Sequence, residues 1–178
     1  LCDVMIALLR QDPACVHVDL RNCAVDNQGA KMVSDALQLS AHTTSVFLSN
    51  NYIADQGCKH LSEMLAVHPN IVTVDLSGNQ GIRTDSCKSL SEMLRLNTSI
   101  TVLDLATCLG IDNEAIMYLS EALQVNSSVI RIHLAGKYGD DATKHMSEAF
   151  KVNFTLTRVD ISSNSLSDKS CCHIAEAL

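Results

Sequence analysis

Apolar residues along this chain follow two alternating rhythms. Short stretches alternate apolar and polar with a period of two, as in Val18-Asp19-Leu20 and Val74-Asp75-Leu76. Longer stretches between them place apolar residues at i, i+3 and i+7, as in Cys58, Leu61 and Leu65 or Cys87, Leu90 and Leu94. The first rhythm predicts strands with one buried face, and the second predicts helices with one buried stripe. Asp, Asn or Ser near each helix start suits an N-cap at the positive helix end.

The alternation is periodic. The strand centres Leu20, Leu48, Leu76, Leu105, Leu134 and Ile161 stand 28, 28, 29, 29 and 27 residues apart. Two residues before them stand Val18, Val46, Val74, Leu103, Ile132 and Val159, all apolar. Three residues after them stand Cys23, Asn51, Asn79, Cys108, Lys137 and Asn164, Asn or Cys in every repeat except the fifth. A strand–helix unit of this length requires parallel strands with all helices on one side. The predicted fold is therefore an α/β solenoid, with a parallel concave sheet and helices on the convex side.

Segments such as Val18-Asp19-Leu20-Arg21-Asn22-Cys23 and Val74-Asp75-Leu76-Ser77-Gly78-Asn79 resemble the leucine-rich-repeat signature. Units of 28–29 residues with a full helix resemble the ribonuclease-inhibitor-like class, also found in NOD-like receptors, tropomodulins and Ran GTPase-activating proteins. The resemblance implies that the Asn or Cys turns inward and bonds backbone groups where the chain leaves the strand. It covers essentially the whole chain, so residues 1–178 read as one domain of about six repeats. Lys137, with Gly136 and Gly139 beside it, predicts an irregular fifth turn. Cys2, Met5 and Leu9 share the helical phase of Ala30, Val33 and Leu37, and the chain closes at Leu178 inside another helix. With no polar capping unit at the end, the expectation is a segment of a longer polypeptide.

Composition narrows the function. A net charge of −7 lacks the basic footprint that nucleic acid requires, and no apolar run approaches the ~20 residues of a membrane span. Most of the eight cysteines fall on repeat positions. Cys23 and Cys108 hold the turn, Cys2, Cys58, Cys87 and Cys171 an interior helix position, and Cys172 an exposed column. Neighbouring helices pack ~8–10 Å apart, too far for a relaxed disulfide, so reduced thiols and a cytoplasmic protein are expected. Cys171-Cys172-His173 does not predict a metal site, because adjacent helical residues point ~100° apart. The sequons at Asn97, Asn126 and Asn153 follow the repeat period, each just after a helix, and are read as left-handed helix terminators. Asp35, Glu63, Glu92, Glu121, Glu148 and Glu176 form an acidic column, with Lys31, Lys59, Lys88 and Lys144 four residues ahead. Pairs of that kind contribute ~0.2–0.5 kcal/mol each, as on a solvated convex surface.

No phosphate loop, nucleophile elbow or helical zinc motif is present, and no catalytic, cofactor or metal residue is assigned. Asp75 and Asp104 would stand ~5 Å apart on neighbouring strands, like a glycosidase pair, but Asp is the consensus residue there. Strand alternation exposes His17, Asp19, Arg21; Ser45, Phe47, Ser49; Thr73, Asp75, Ser77; Val102, Asp104, Ala106; Arg131, His133, Ala135; and Arg158, Asp160, Ser162. Among these, Phe47 stands where Asp is usual, and Arg131, His133 and Arg158 form a basic cluster. Interface hot spots favour aromatic residues and Arg. The expected function is thus a non-catalytic adaptor or scaffold that binds a protein partner on its concave face. The candidate site is Phe47, Asp75, Asp104, Arg131, His133 and Arg158. The alternative is a regulator of an enzyme or of the cytoskeleton: an inhibitor, a GTPase activator or a tropomodulin-like actin-filament binder.

Overall fold

The computed structural model describes residues 15–134, 136 and 138–177. The expectations for the opening helix, Ala135, Lys137 and Leu178 lie outside the described residues. The elements run β1 (His17–Asp19), α1 (Asn27–Leu37), β2 (Ser45–Phe47), α2 (Asp55–Val67), β3 (Thr73–Asp75), α3 (Thr84–Leu96), β4 (Val102–Asp104), α4 (Asn113–Leu123), β5 (Arg131–His133), α5 (Asp140–Val152), β6 (Arg158–Asp160) and α6 (Asp168–Ala175). All strand pairs are parallel and follow chain order, so Val18, Val46, Val74, Leu103, Ile132 and Val159 stand in one row. That row, the strand centres and the apolar stripes of α1 to α5 form one continuous core, against which Val159 and Ile161 of the last strand region are partly buried. Among the described residues, each helix packs only on the helices adjacent in sequence.

Helix starts depend on the neighbouring repeat. The Asp26, Asp112 and Ser167 side chains cap their own helices, whereas α2, α3 and α5 have no cap of their own. The missing acceptor comes from the preceding helix. Asn27 accepts from the Ala54 and Gly57 amides at 2.8 and 3.0 Å, Asp55 from the Ser86 amide at 3.1 Å, and Asn113 from the Gly139 amide at 2.9 Å. Amides that a helix start would leave unpaired are thus satisfied across each repeat boundary. Asp140 plays the same part toward α6, accepting from Ser167 and Ser170, and those hydrogen bonds hold its carboxyl down at about 2.

Two further ladders bracket the strands. Where the chain leaves a strand, Asn51 accepts from the Cys23 and Val25 amides at 3.0 and 2.9 Å and donates to the Leu20 and Leu48 carbonyls at 2.8 Å each. Asn79 and Asn164 repeat the pattern, and the Cys108 thiol stands in by donating to the Leu76 carbonyl at 3.4 Å. Where the chain leaves a helix, the buried Asn97, Asn126 and Asn153 donate to the Leu65, Leu94 and Leu123 carbonyls. Each accepts from the amide three residues on, at 2.8 Å.

This second ladder corrects the reading of the sequons. Asn97 and Asn153 are extended, with φ of −77° and −93°, because the helix exit leads straight into the next strand. The left-handed residues among those described lie after the strands instead: Asn22, Ala24, Asn50, Gly78, Thr107 and Ser163. At Gly78 (φ +72°) even a Cβ would fall 2.2 Å from Asn50 Oδ1.

Cys58, Cys87 and Cys108 are buried, but Cys171 is exposed together with Cys172, contrary to its expected interior place. No further described element covers that flank of α6. Of the convex ion pairs, Lys31–Asp35 (2.8 Å) and Lys59–Glu63 (4.0 Å) form, while Glu148 pairs with Lys151 at 3.0 Å and Glu121 with Arg95 of the preceding helix at 3.3 Å.

Candidate functional site

The exposed strand positions form two rows across the sheet. The first is His17, Ser45, Thr73, Val102, Arg131 and Arg158, and the second is Asp19, Phe47, Asp75, Asp104, His133 and Asp160. Ser45 and Ser49 are buried rather than exposed, because their short side chains sit between neighbours one strand spacing (~4.8 Å) away.

Asp in the second row has a local task. Asp75 accepts from the Ser77 amide and hydroxyl at 2.9 and 2.6 Å, and Asp104 accepts from the Ala106 amide at 2.9 Å. Asp160 does the same with Ser162, which holds its carboxyl below the usual range. These carboxylates fasten the turn out of each strand. Asp104 also meets His133 Nδ1 at 2.9 Å across β4 and β5, which removes His133 from the expected basic cluster. Asp19 is clamped by the Arg21 guanidinium at 2.9 and 2.5 Å, which lowers its pKa.

Phe47 has no turn to fasten. It is half-buried, and the Arg21 guanidinium carbon lies 5.4 Å from its ring centroid, a cation–π contact. Arg131 and Arg158 are exposed, lie in register on β5 and β6, and form no ion pair among the described residues. The structure therefore divides the candidate residues. Asp75, Asp104 and His133 are engaged within the sheet, and Phe47, Arg131 and Arg158 are left to face outward.

A second surface was not expected from alternation. Leu39, Val67, Leu96, Val125 and Val152 stand exposed at the helix ends, one per repeat and at the repeat spacing, with Val67 76% exposed. Phe154 (92% exposed) and Ile130 extend this apolar column along the edge where helices give way to strands. An apolar groove of about 590 Å³, lined by Phe150, Phe154, Leu156, Val159, Ile161 and Ile174, flanks the last strand. The signal was present in the repeat period itself, one residue before each of Ser40, His68, Asn97, Asn126 and Asn153.

The sequence match is local. A Leucine Rich repeat family model matches residues 152–174, from the end of α5 through β6 into α6. The match falls on the same unit that the parallel register repeats along the chain. The chain has the leucine-rich-repeat fold. Solved structures extend the likeness to its full length. The tropomodulin C-terminal domain of Caenorhabditis elegans is 19% identical, with 99% of this chain and 90% of that one covered and a TM-score of 0.68. The leiomodin-1 actin-binding site 2 structure is 14% identical, with 99% and 86% covered and a TM-score of 0.55. An internalin from Listeria monocytogenes is 18% identical over 82% of this chain and 35% of that one, with a TM-score of 0.50. At these identities the likeness is one of fold. No curated protein matches the sequence.

Proposed function

We propose that this leucine-rich-repeat fold is a non-catalytic module that binds a protein partner across its concave sheet. The observation that carries this reading is the division of labour along the strand rows. Consensus Asp residues serve the fold, whereas Phe47 breaks their row and Arg131 and Arg158, in the other row, serve no strand-exit bond. Aromatic and Arg side chains freed from structural duty are the usual anchors of protein interfaces. The Asp75 and Asp104 carboxylates are committed to their turns and lie on an open sheet, which favours binding over catalysis. Cys23, Cys58, Cys87, Cys108, Cys171 and Cys172 are free thiols, which suits a cytoplasmic setting.

The test is capture of partners from native lysate by the protein and by the double variant Phe47→Ala/Arg131→Ala. Loss of an anchor costs about 2 kcal/mol or more in binding, so retention should fall roughly 30-fold, with unchanged thermal unfolding. Glu92→Ala, on the convex column, serves as the control. Equal retention by the double variant, with loss on Glu92→Ala, would move the docking surface to the helices.

A second reading is cytoskeletal. It is favoured by the tropomodulin and leiomodin structures, the latter described as an actin-binding site, both of which this chain matches over nearly its whole length. Co-sedimentation with filamentous actin decides it, since binding that survives Phe47→Ala/Arg131→Ala would separate actin from the concave site.

A further inference from the structure

We infer that the edge of the fifth and sixth repeats receives an acidic, apolar-rich segment of a protein partner. Its carboxylates would lie on Arg131 and Arg158 and its bulky side chains on Ile130 and Phe154. The inference rests on the reading above, because both arginines belong to the concave row, and it names the chemistry that this end of the row selects.

Charge gives the sign. The chain carries −7 overall, and many of its exposed cations are matched: Lys31 with Asp35, Arg21 with Asp19, Arg95 with Glu121 and Lys151 with Glu148. Among the described residues Arg83, Lys88, Lys144 and Lys169 form no ion pair either, but Arg131 and Arg158 are the unpaired cations that stand in register on adjacent strands. Their strand positions stand one spacing apart (~4.8 Å), both residues are exposed, and neither forms an ion pair among the described residues. The nearest acid in sequence, Asp160, is held mainly by hydrogen bonds from Ser162; the Arg158 charge also lowers its carboxyl, but the two form no ion pair. A guanidinium presents a planar fork that takes a carboxylate bidentately. Two in register offer a site for two carboxylates of one extended or helical segment.

The surroundings select a segment over a small anion. Ile130 directly precedes Arg131, and Phe154, 92% exposed, stands four residues before Arg158. Val125 and Val152 continue the apolar edge on the helix side. A free anion would use the arginines and leave the apolar edge in water. A segment that carries both acids and large apolar residues covers both.

The probe is a fluorescein-labelled peptide of alternating leucine and glutamate, titrated by anisotropy against a peptide with lysine at each glutamate. The acidic peptide should bind, and more weakly at high salt; the basic one should not. Arg131→Glu/Arg158→Glu and, separately, Phe154→Ser should each weaken binding about tenfold or more, with unchanged circular dichroism and melting. Phe47→Ala should leave peptide affinity unchanged. No binding of the acidic peptide, equal binding of the basic one, or indifference to the arginine reversal would each overturn the inference. So would tighter binding of a single-stranded oligonucleotide of similar length, which would give the arginines to phosphates. A dimer by light scattering that Phe154→Ser dissolves would instead assign the edge to a second copy. The two readings fail separately. Partner capture lost on Phe47→Ala alone, with no peptide binding, sinks the edge and keeps the concave site. The converse sinks the centre of the sheet.

Discussion

Asparagine does two different jobs in this chain, and only one is visible in a sequence. At the strand exits its role follows from spacing, since a polar residue three positions after each strand centre recurs too regularly to be a surface accident. At the helix exits, Asn97, Asn126 and Asn153 invite the left-handed reading because Asn tolerates it. The backbone is extended at Asn97 and Asn153 and not left-handed at Asn126, and the buried amide does the work. Cysteine shows the same boundary. Cys58 and Cys87 sit on a stripe covered by the next helix, so their burial was legible. Cys171 shares the phase, but no described element covers it. Phase alone does not reveal a missing neighbour. Burial pushes the Cys58 and Cys108 thiols up to about 12 and raises Cys87 well above the ordinary value. Near neutral pH these thiols therefore carry no thiolate and are shielded as well. Maleimide labelling read by peptide mass spectrometry should modify Cys171 and Cys172 quickly, and Cys58, Cys87 and Cys108 only in denaturant. Native labelling of Cys87 at the rate of Cys172 would mean that the helix stripe is not packed as described.

Helices and strands here are shorter than their roles suggest. Each strand has three residues, and much of its fixity comes from side-chain amides reaching over from the next repeat. Because Asn126 satisfies the Leu94 carbonyl and the Val129 amide together, Asn126→Ala leaves buried groups unpaired. It should destabilise by about 1–3 kcal/mol per orphaned group, measured by urea unfolding. His68 fills the same place in the second repeat. Its Nδ1 accepts from the Asn70 and Ile71 amides at 3.3 Å each, so the ring hydrogen sits on Nε2 and faces the Ser40 carbonyl at 3.0 Å. An amide offers the same donor and acceptor, so His68→Asn should cost less than about 1 kcal/mol, well within the cost of unpairing. A large loss at His68→Asn together with none at Asn126→Ala would reverse the assigned roles.

At the scale of the molecule, contacts between the described elements join only adjacent repeats, which is why a one-dimensional pattern predicts the fold so fully. The candidate site was less legible. Alternation identified which strand positions face outward, but whether such a residue is free depends on the length and charge of its neighbour one strand away. Ser45 between its neighbours and His133 beside Asp104 are settled by those neighbours. The apolar column from Leu39 to Val152 escaped both rhythms, because it lies in the connection between helix and strand and belongs to neither periodic face.

The two bracketing ladders also say where the gene can lengthen. From helix-exit to strand-exit residue the separation is 11 in every case: Ser40 to Asn51, His68 to Asn79, Asn97 to Cys108, Asn126 to Lys137 and Asn153 to Asn164. On the return side it varies from 16 to 18 residues, and all the differences in repeat length fall there. One residue inserted between Ile71 and Val74 would turn a strand over and carry its inward residues to the wrong face, so thermal melting should show the cooperative transition lost. The same insertion between Cys108 and Ile111 falls on the side where repeat lengths already differ, and a folded protein with a modestly lowered Tm is expected. Equal damage at the two places would show that the strand span is no more rigid than the rest. New loops, acquired by drift or grafted by design, belong on the helix side of this protein, where length is free to change without moving a single strand.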